Sequence, residues 1–187
     1  MPTRADDVLH SAHRAPLLEE AMAMVGLFWI TEDSVYLGAE PAGAASGVRL
    51  TEDGVEALGT AHGTAWTWRE VRRINVRDVP VRSSARRLAS MAFDTLATAV
   101  SGLGEQPPAY TVCVETVDDT AEVSVFSAVA GGIYTPDEYE LSRTLLDRLV
   151  DGHASVADLL AWRRDQAADG TPPREEREAL LRKWADH

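Results

Sequence analysis

The chain has almost none of the residues on which disulfide frameworks and cysteine-ligated zinc sites depend. Its 187 residues include a single cysteine, Cys113, which excludes both an internal disulfide and a cysteine-rich zinc site. No apolar run approaches the roughly eighteen residues of a membrane-spanning helix, and residues 1–7 lack the features of a signal peptide. We therefore expect a cytoplasmic protein with no membrane span, whose core forms without disulfide bonds.

Several common catalytic and ligand-binding motifs are also missing. The sequence has no G-x-S-x-G nucleophile turn, no G-x-x-x-x-G-K-[ST] phosphate loop and no G-x-G-x-x-G dinucleotide motif. His10 and His13 are spaced like metal ligands, but two ligands near a chain end do not make a site. Cys113 alternates with valines and is interpreted as a buried side chain. We predict no catalytic residue, no metal site and no cofactor.

Acidic pairs recur three times, and each falls at a predicted hairpin tip. Aspartate is favoured there because its side chain satisfies backbone groups of the turn, and no calcium-loop spacing surrounds any of the pairs. We interpret them as solvated turns. They are Glu32-Asp33, Glu52-Asp53 and Asp118-Asp119.

Positive charge is scarce and unevenly placed. Lys183 is the single lysine, against seventeen arginines, a balance typical of GC-rich genomes. The net charge of −12 argues against binding to nucleic acid or to an anionic membrane, because both would repel the protein. Seven arginines and two acids nevertheless lie between residues 69 and 87. That segment carries +5 and leaves −17 for the remainder of the chain.

This basic segment supplies the candidate binding residues. In an extended strand, Arg69, Arg73 and Arg77 would project from one face, where their guanidinium groups could hold carboxylates or phosphates. Alternatively, the arginines only balance surplus acid in the same molecule or in a second subunit of a homo-oligomer. For the two tryptophans, core packing is favoured over a stacking platform. The predicted anion- or partner-binding residues are Arg69, Arg72, Arg73, Arg77, Arg86, Arg87, Trp66 and Trp68.

A repeated sequence organises the N-terminal half. Residues 30–35, Ile-Thr-Glu-Asp-Ser-Val, are echoed at 50–55 by Leu-Thr-Glu-Asp-Gly-Val, and each copy runs on to a glycine, Gly38 or Gly59. Apolar segments on both sides of a polar tip predict two antiparallel hairpins. For the second hairpin we expect a type I′ turn centred on Asp53-Gly54, because glycine adopts positive φ without steric cost.

Periodicity predicts the other elements. Strands are expected at 71–79, 110–116 and 122–130, of which the last two form a third hairpin. Helices are expected at 16–24, 84–100, 136–150, 155–166 and from 172 or 173 onward. The helix at 136–150 has the clearest start, since Thr135, Pro136 and Glu138 match a capping box. The last helix has a narrow apolar stripe that should pack on this domain or on another chain. That stripe consists of Leu180, Leu181 and Trp184.

These elements predict an α+β fold, in which an antiparallel sheet or barrel of about seven strands carries an inserted helix and C-terminal helices. We divide the chain into an N-terminal arm with a short helix (1–23), the α+β domain (24–150) and a C-terminal helical extension (151–187). A series of meander strands followed by a terminal amphipathic helix resembles the pleckstrin-homology-like barrel. The resemblance covers residues 26–150 and rests on the hairpins at Asp33-Ser34 and Asp53-Gly54, the segment 68–76 and the helix after Thr135.

The resemblance implies a non-catalytic binding module that holds a peptide or partner protein at a sheet edge or in the groove beside its helix. Glu32 and Asp33 stand where lipid-binding members carry lysines, so phosphoinositide binding is not expected. Our leading hypothesis is a cytoplasmic adaptor or assembly protein whose surface from Arg69 to Arg87 meets an acidic partner.

Two other classes of function remain open. A small enzyme or carrier could bind an anionic metabolite at the same arginines, in a pocket with a titratable group of shifted pKa. The rest of the chain, which carries a net charge of −17, could instead imitate nucleic acid. Its binding to a basic partner would then weaken strongly with added salt.

Overall fold

A computed structural model describes residues 22–59, 63–82, 107–128, 134–166 and 170–186. Within these ranges the chain is α+β, with nine strands in two antiparallel sheets and three helices after them. The predicted helix at 84–100 and most of the one at 16–24 lie outside the described residues. Met24, which was predicted to end a helix, lies in the first strand instead.

The first sheet is a continuous meander of six neighbouring strands, β1 to β6. These are Ala23–Val25, Phe28–Ile30, Val35–Leu37, Gly47–Leu50, Gly54–Leu58 and Thr64–Thr67. The second sheet has three strands in the order β7 (Val71–Arg77), β8 (Ala109–Thr116) and β9 (Thr120–Phe126). The predicted hairpins are confirmed as β2–β3, β4–β5 and β8–β9. In the described ranges the strands form two sheets rather than a single closed barrel.

Side-chain alternation turns one face of each sheet toward a shared core. In β4, Val48 and Leu50 are buried, whereas Arg49 between them points outward and pairs with Glu56, its register partner on β5. The Arg49 Nε lies 2.8 Å from the Glu56 Oε2. The inward residues of both sheets belong to one hydrophobic cluster that also includes residues of all three helices. The core therefore lies between the two sheets and beneath the helices.

Three helices close this core: α1 (Pro136–Val150), α2 (Val156–Asp165) and α3 (Arg174–Asp186). The predicted capping box of α1 is confirmed, because the Thr135 hydroxyl accepts a hydrogen bond from the Glu138 N–H while the Glu138 carboxylate accepts one from the Thr135 N–H. In α3, Leu181 and Trp184 are buried against this same chain. No helix in the described ranges is both long and apolar enough to cross a membrane.

The three hairpin turns share one hydrogen-bonding arrangement. In each, a threonine donates its N–H to the carbonyl three residues later, and its Oγ1 accepts the N–H of that same residue. The threonine hydroxyl thus accepts an N–H that a backbone carbonyl would otherwise have to accept. The N–H to carbonyl distances are 2.9 Å for Thr31 to Ser34, 2.8 Å for Thr51 to Gly54 and 2.8 Å for Thr116 to Asp119.

The predicted type I′ turn at Asp53-Gly54 is wrong, because Gly54 begins β5 and does not have a positive φ. Glycine is needed there for a different reason. A Cβ at Gly54 would lie 1.9 Å from the carbonyl oxygen of Trp66 on β6, so a side chain would collide with the neighbouring backbone. The glycines that end the two repeats do adopt positive φ, +79° at Gly38 and +71° at Gly59.

Candidate partner-binding surface

A tight turn over residues 68–70 connects β6 of the first sheet to β7 of the second. The Glu70 N–H donates to the Thr67 carbonyl at 2.9 Å. In return, the Glu70 carboxylate accepts hydrogen bonds from the Thr67 N–H at 2.7 Å and from the Thr67 hydroxyl at 2.8 Å. These hydrogen bonds from Thr67 hold the pKa of Glu70 below its ordinary value. The turn that carries the first candidate arginine, Arg69, is therefore tied to the end of β6.

An irregularity at the start of β7 determines which arginines face outward. The register with β8 shifts between Val71 and Arg73, as at a β-bulge. Val71 and Ile74 are consequently both buried, and the two residues between them, Arg72 and Arg73, are both exposed. With Arg69 in the preceding turn, three exposed arginines lie within five consecutive residues. We call Arg69, Arg72 and Arg73 the arginine corner.

The arginine corner makes no ion pair with any residue in the described ranges. Arg73 faces Glu115 in the register with β8, yet the Glu115 Oε1 accepts a 2.8 Å hydrogen bond from the Asn75 side chain instead. The single row of Arg69, Arg73 and Arg77 expected from their spacing does not form a continuous strand face, because Arg69 precedes β7 and the bulge interrupts the alternation.

Arg77 differs from the corner, because it already has an acidic partner. Its guanidinium pairs with Glu122 of β9 across the outer face of the second sheet. Glu122 is the main reason that the pKa of Arg77 is raised. Arg77 also lines a cleft of about 320 Å³, bounded on one side by Tyr139 and Arg143 of α1. The other two predicted arginines, Arg86 and Arg87, lie outside the described residues.

Both candidate tryptophans pack against the core. Trp66 is half-buried opposite Val55 of β5. Trp68 is also half-buried, and its indole N–H donates to the carbonyl of Thr51 at 3.0 Å. This bond ties the β6–β7 turn to the β4–β5 turn, so Trp68 helps to position the arginine corner that follows it.

Strand edges near the corner have few available backbone groups. The outer edge of β6 carries the N–H and carbonyl of Thr67, and Glu70 binds both of them. Alternation leaves Ala65 as the outward residue at the centre of this four-residue strand. A peptide that added a strand here would form few main-chain hydrogen bonds.

The other described edges are covered as well. At β1, the Met24 N–H donates to the Thr171 hydroxyl at 3.1 Å. At β9, the Phe126 carbonyl accepts from the Ala39 N–H at 2.7 Å, and the Ser124 carbonyl accepts from a serine hydroxyl of the β3–β4 loop. Helix α1 packs along β7. Recognition by side chains is accordingly better supported than recognition by strand addition.

Cys113 lies on β8 opposite Asn75 and Glu122, and the prediction that its side chain is buried is confirmed. Within the described ranges, no three histidine, cysteine or acidic side chains cluster as metal ligands would.

Comparison of this chain with models of protein families, with curated proteins and with solved structures finds no match.

Proposed function

We propose that this chain is a non-catalytic cytoplasmic binding protein, an adaptor or assembly module that holds an acidic segment of a partner protein at the arginine corner. The observation that carries the proposal is the exposure of three guanidinium groups within five residues, none paired with a carboxylate of the described chain. An extended acidic segment offers carboxylates at a spacing that neighbouring guanidinium groups can bind in bidentate fashion.

Ion pairing within the described chain does not explain the corner. The chain has 30 acidic and 18 basic residues, so carboxylates are in excess. Arg49, Arg77 and Arg177 each form an ion pair with one of these carboxylates. Arg69, Arg72 and Arg73 pair with no carboxylate in the described ranges, even though Glu115 faces Arg73 across the sheet. Guanidinium groups that have no ion-pair partner in the described chain are suited to carboxylates of another molecule.

The proposal includes a relationship to pleckstrin-homology-like domains, which use the same kind of non-catalytic recognition. It is supported by the sequence of hairpins followed by a capped amphipathic helix, α1, packed on β7. The cleft between β7 and α1 provides a groove beside that helix, adjoining the strand that begins at the corner.

The alternative, a carrier or enzyme for an anionic metabolite, would use Arg77 in the same cleft. There the guanidinium already pairs with the Glu122 carboxylate, so an anionic ligand would have to displace that carboxylate or share the guanidinium with it. The arginine corner requires no such displacement. This difference leads us to prefer a protein partner at the corner.

The test is quantitative affinity purification of the tagged full chain from its native lysate, with a triple variant Arg69→Glu, Arg72→Glu, Arg73→Glu. A matched triple variant, Arg164→Glu, Arg174→Glu, Arg182→Glu, makes the same change in net charge at exposed positions outside both the corner and the cleft. We expect a stoichiometric partner with wild type and matched variant, and its loss with the corner variant.

The partner should also dissociate as salt is raised from about 0.05 M to about 0.5 M, because exposed ion pairs are screened. Circular dichroism and thermal unfolding must show that both triple variants remain folded. Equal recovery of the same proteins with all three forms would contradict the proposal.

A further inference from the structure

A second candidate site lies away from the arginine corner, among the C-terminal helices. Helices α2 and α3 and the turn between α1 and α2 enclose a groove of about 610 Å³. This volume is in the range of small-molecule sites. Its wall combines two indoles with side chains of both charges. The chemistry-bearing residues that line it are His153, Asp158, Trp162, Asp165, Lys183 and Trp184.

The floor of the groove is aromatic. Trp162 of α2 and Trp184 of α3 meet edge to face, with ring centroids 5.5 Å apart and planes at 77°. Trp184 is 6% exposed and Trp162 is half-buried, so both rings are fixed by packing. A rigid apolar surface of this kind suits a flat or branched apolar group, which gains by leaving water.

The rim of the groove carries uncommitted charges of opposite sign. Asp158 and Asp165 lie four residues before and three residues after Trp162, which places them on its face of α2. Lys183 approaches from α3, next to Trp184. None of the three charged side chains forms an ion pair or a side-chain hydrogen bond within the described part of the chain. The groove therefore offers an anion and a cation to a ligand.

Asp165 occupies an unfavourable position for a helix. It is the last residue of α2, where the unpaired carbonyls of the helix end already concentrate negative charge. Arg163 and Arg164 share this last turn, but neither forms an ion pair with Asp165 in the described part of the chain, and the Arg164 Nε donates to the carbonyl of Glu32 at 3.0 Å. A ligand cation beside Asp165 would supply the ion-pair partner that this carboxylate lacks there.

We propose that this groove binds a small zwitterion with an apolar body, such as an α-amino acid with an aromatic or branched side chain. The ligand ammonium group lies at Asp165, its carboxylate at Lys183, and its side chain on the Trp162 and Trp184 rings. Lys183 argues against a simple organic cation, which it would repel. The two aspartates argue likewise against a simple anion.

The first experiment is a titration of the uniformly ¹⁵N-labelled full chain with L-phenylalanine, L-leucine and glycine, followed through the indole N–H signals. The chain has five tryptophans, and Trp162→Phe and Trp184→Phe assign the two relevant signals. We expect these two signals to shift with L-phenylalanine and L-leucine, with a Kd on the order of 1 mM, as befits so few ligand atoms. Glycine, which lacks the apolar body, should leave them in place.

Two single-charge analogues test the pairing of charges. Phenethylamine retains the ammonium group of phenylalanine, and 3-phenylpropionate retains the carboxylate. Each should bind at least about tenfold more weakly than phenylalanine, because one charge-assisted hydrogen bond is lost. Equal binding of all three compounds would overturn the zwitterion assignment and leave only an apolar contact.

Variants of the two charged residues test where the ligand binds. Asp165→Asn and Lys183→Met should each weaken phenylalanine binding about tenfold or more, while Glu176→Gln, an exposed acid of α3 outside the groove, should not change it. These positions are exposed, so folding should be retained. Unshifted Trp162 and Trp184 signals at about 20 mM phenylalanine, or shifts that neither variant alters, would refute the site. The arginine corner variants should bind phenylalanine normally, which separates this inference from the proposed protein partner.

Discussion

Arg177 of α3 and Glu138 of α1 form a nearly buried ion pair, in which the Arg177 Nε lies 2.6 Å from the Glu138 Oε1. The side chains are 16% and 3% exposed. The other carboxylate oxygen of Glu138 accepts the N–H of Thr135 in the capping box, and the Arg177 guanidinium also donates to the carbonyl of Pro172. One glutamate therefore both starts α1 and fastens α3 to it.

Replacing Glu138 with glutamine should lower the free energy of unfolding by about 3 to 5 kcal/mol, because it leaves the Arg177 charge buried without a counter-charge. The amide oxygen can still cap α1, so the loss belongs to the ion pair. Urea unfolding at neutral pH measures it. Glu140→Gln is the matched control, since Glu140 is exposed and lies 3.6 Å from Arg143. That control should cost no more than about 1 kcal/mol. Equal losses in the two variants would contradict the special role of Glu138.

Position 54 should tolerate no side chain, even that of asparagine, which accepts a positive φ comparatively well. Gly54→Asn and Gly54→Ala should each destabilise the protein by about 1 to 3 kcal/mol or more, because a Cβ collides with the Trp66 carbonyl. The contrast is Gly43, which has a φ of +60° and open space around it. Asparagine is comparatively well accepted at such a φ, so Gly43→Asn should cost less than Gly54→Asn. Thermal unfolding of the variants compares them. A well-tolerated asparagine at position 54 would mean that the backbone there is left-handed after all.

The threonine of each hairpin turn should matter through its hydroxyl. Thr51→Val keeps the shape of the side chain but removes the acceptor of the Gly54 N–H, at a cost of about 1 kcal/mol. Thr51→Ser keeps the hydroxyl and should recover most of that loss. Chemical denaturation of both variants provides the measurement. The same pair of substitutions at Thr116 should behave alike, since Thr116 makes the same bonds to Asp119. A serine variant as unstable as the valine variant would point to packing of the methyl group instead.

Tyr110 should limit the stability of the protein at alkaline pH. Burial raises the pKa of its hydroxyl well above 10, and the nearby Tyr134 adds to the rise. A raised pKa means that the folded state favours the neutral phenol. Its contribution to stability is therefore intact below pH 10, the ordinary pKa, and declines as the pH rises beyond it.

Absorbance at 295 nm during an alkaline titration should accordingly show Tyr110 ionising only as the chain unfolds. Tyr110→Phe should shift that unfolding to higher pH without lowering stability at pH 7, because the buried Tyr110 hydroxyl makes no hydrogen bond with the described residues. Ionisation of all four tyrosines near pH 10 with the fold intact would exclude this account.

Features set by neighbouring residues could be predicted from the sequence. The capping box at Thr135, the boundaries of α1 and the three hairpins depend on spacings of a few residues, and local spacing is what a sequence displays directly. Features set by distant residues could not. Glu138 and Arg177 are 39 positions apart and meet only because α3 folds back on α1.

The candidate site illustrates the same division. Clustering of arginines in the sequence indicates the segment 69–87, and a spacing of four residues predicts a single row of Arg69, Arg73 and Arg77 along one strand. The bulge after Val71 and the turn at Glu70 break that row. Only the cross-strand register shows that Arg77 has Glu122 as a partner. The sequence places Trp184 in the apolar stripe of the last helix, but it does not show that Trp184 meets Trp162 of α2.

The coverage of β1 by the C-terminal segment has a consequence for misfolding. β1 consists of Ala23, Met24 and Val25, all buried, and its outer edge meets Thr171 and α3. If α3 detaches or is removed by proteolysis, an apolar strand with unpaired backbone groups is exposed, which is a template for intermolecular pairing. We therefore expect the C-terminal helix to protect the chain from aggregation, and loss of the Glu138–Arg177 pair to weaken that protection.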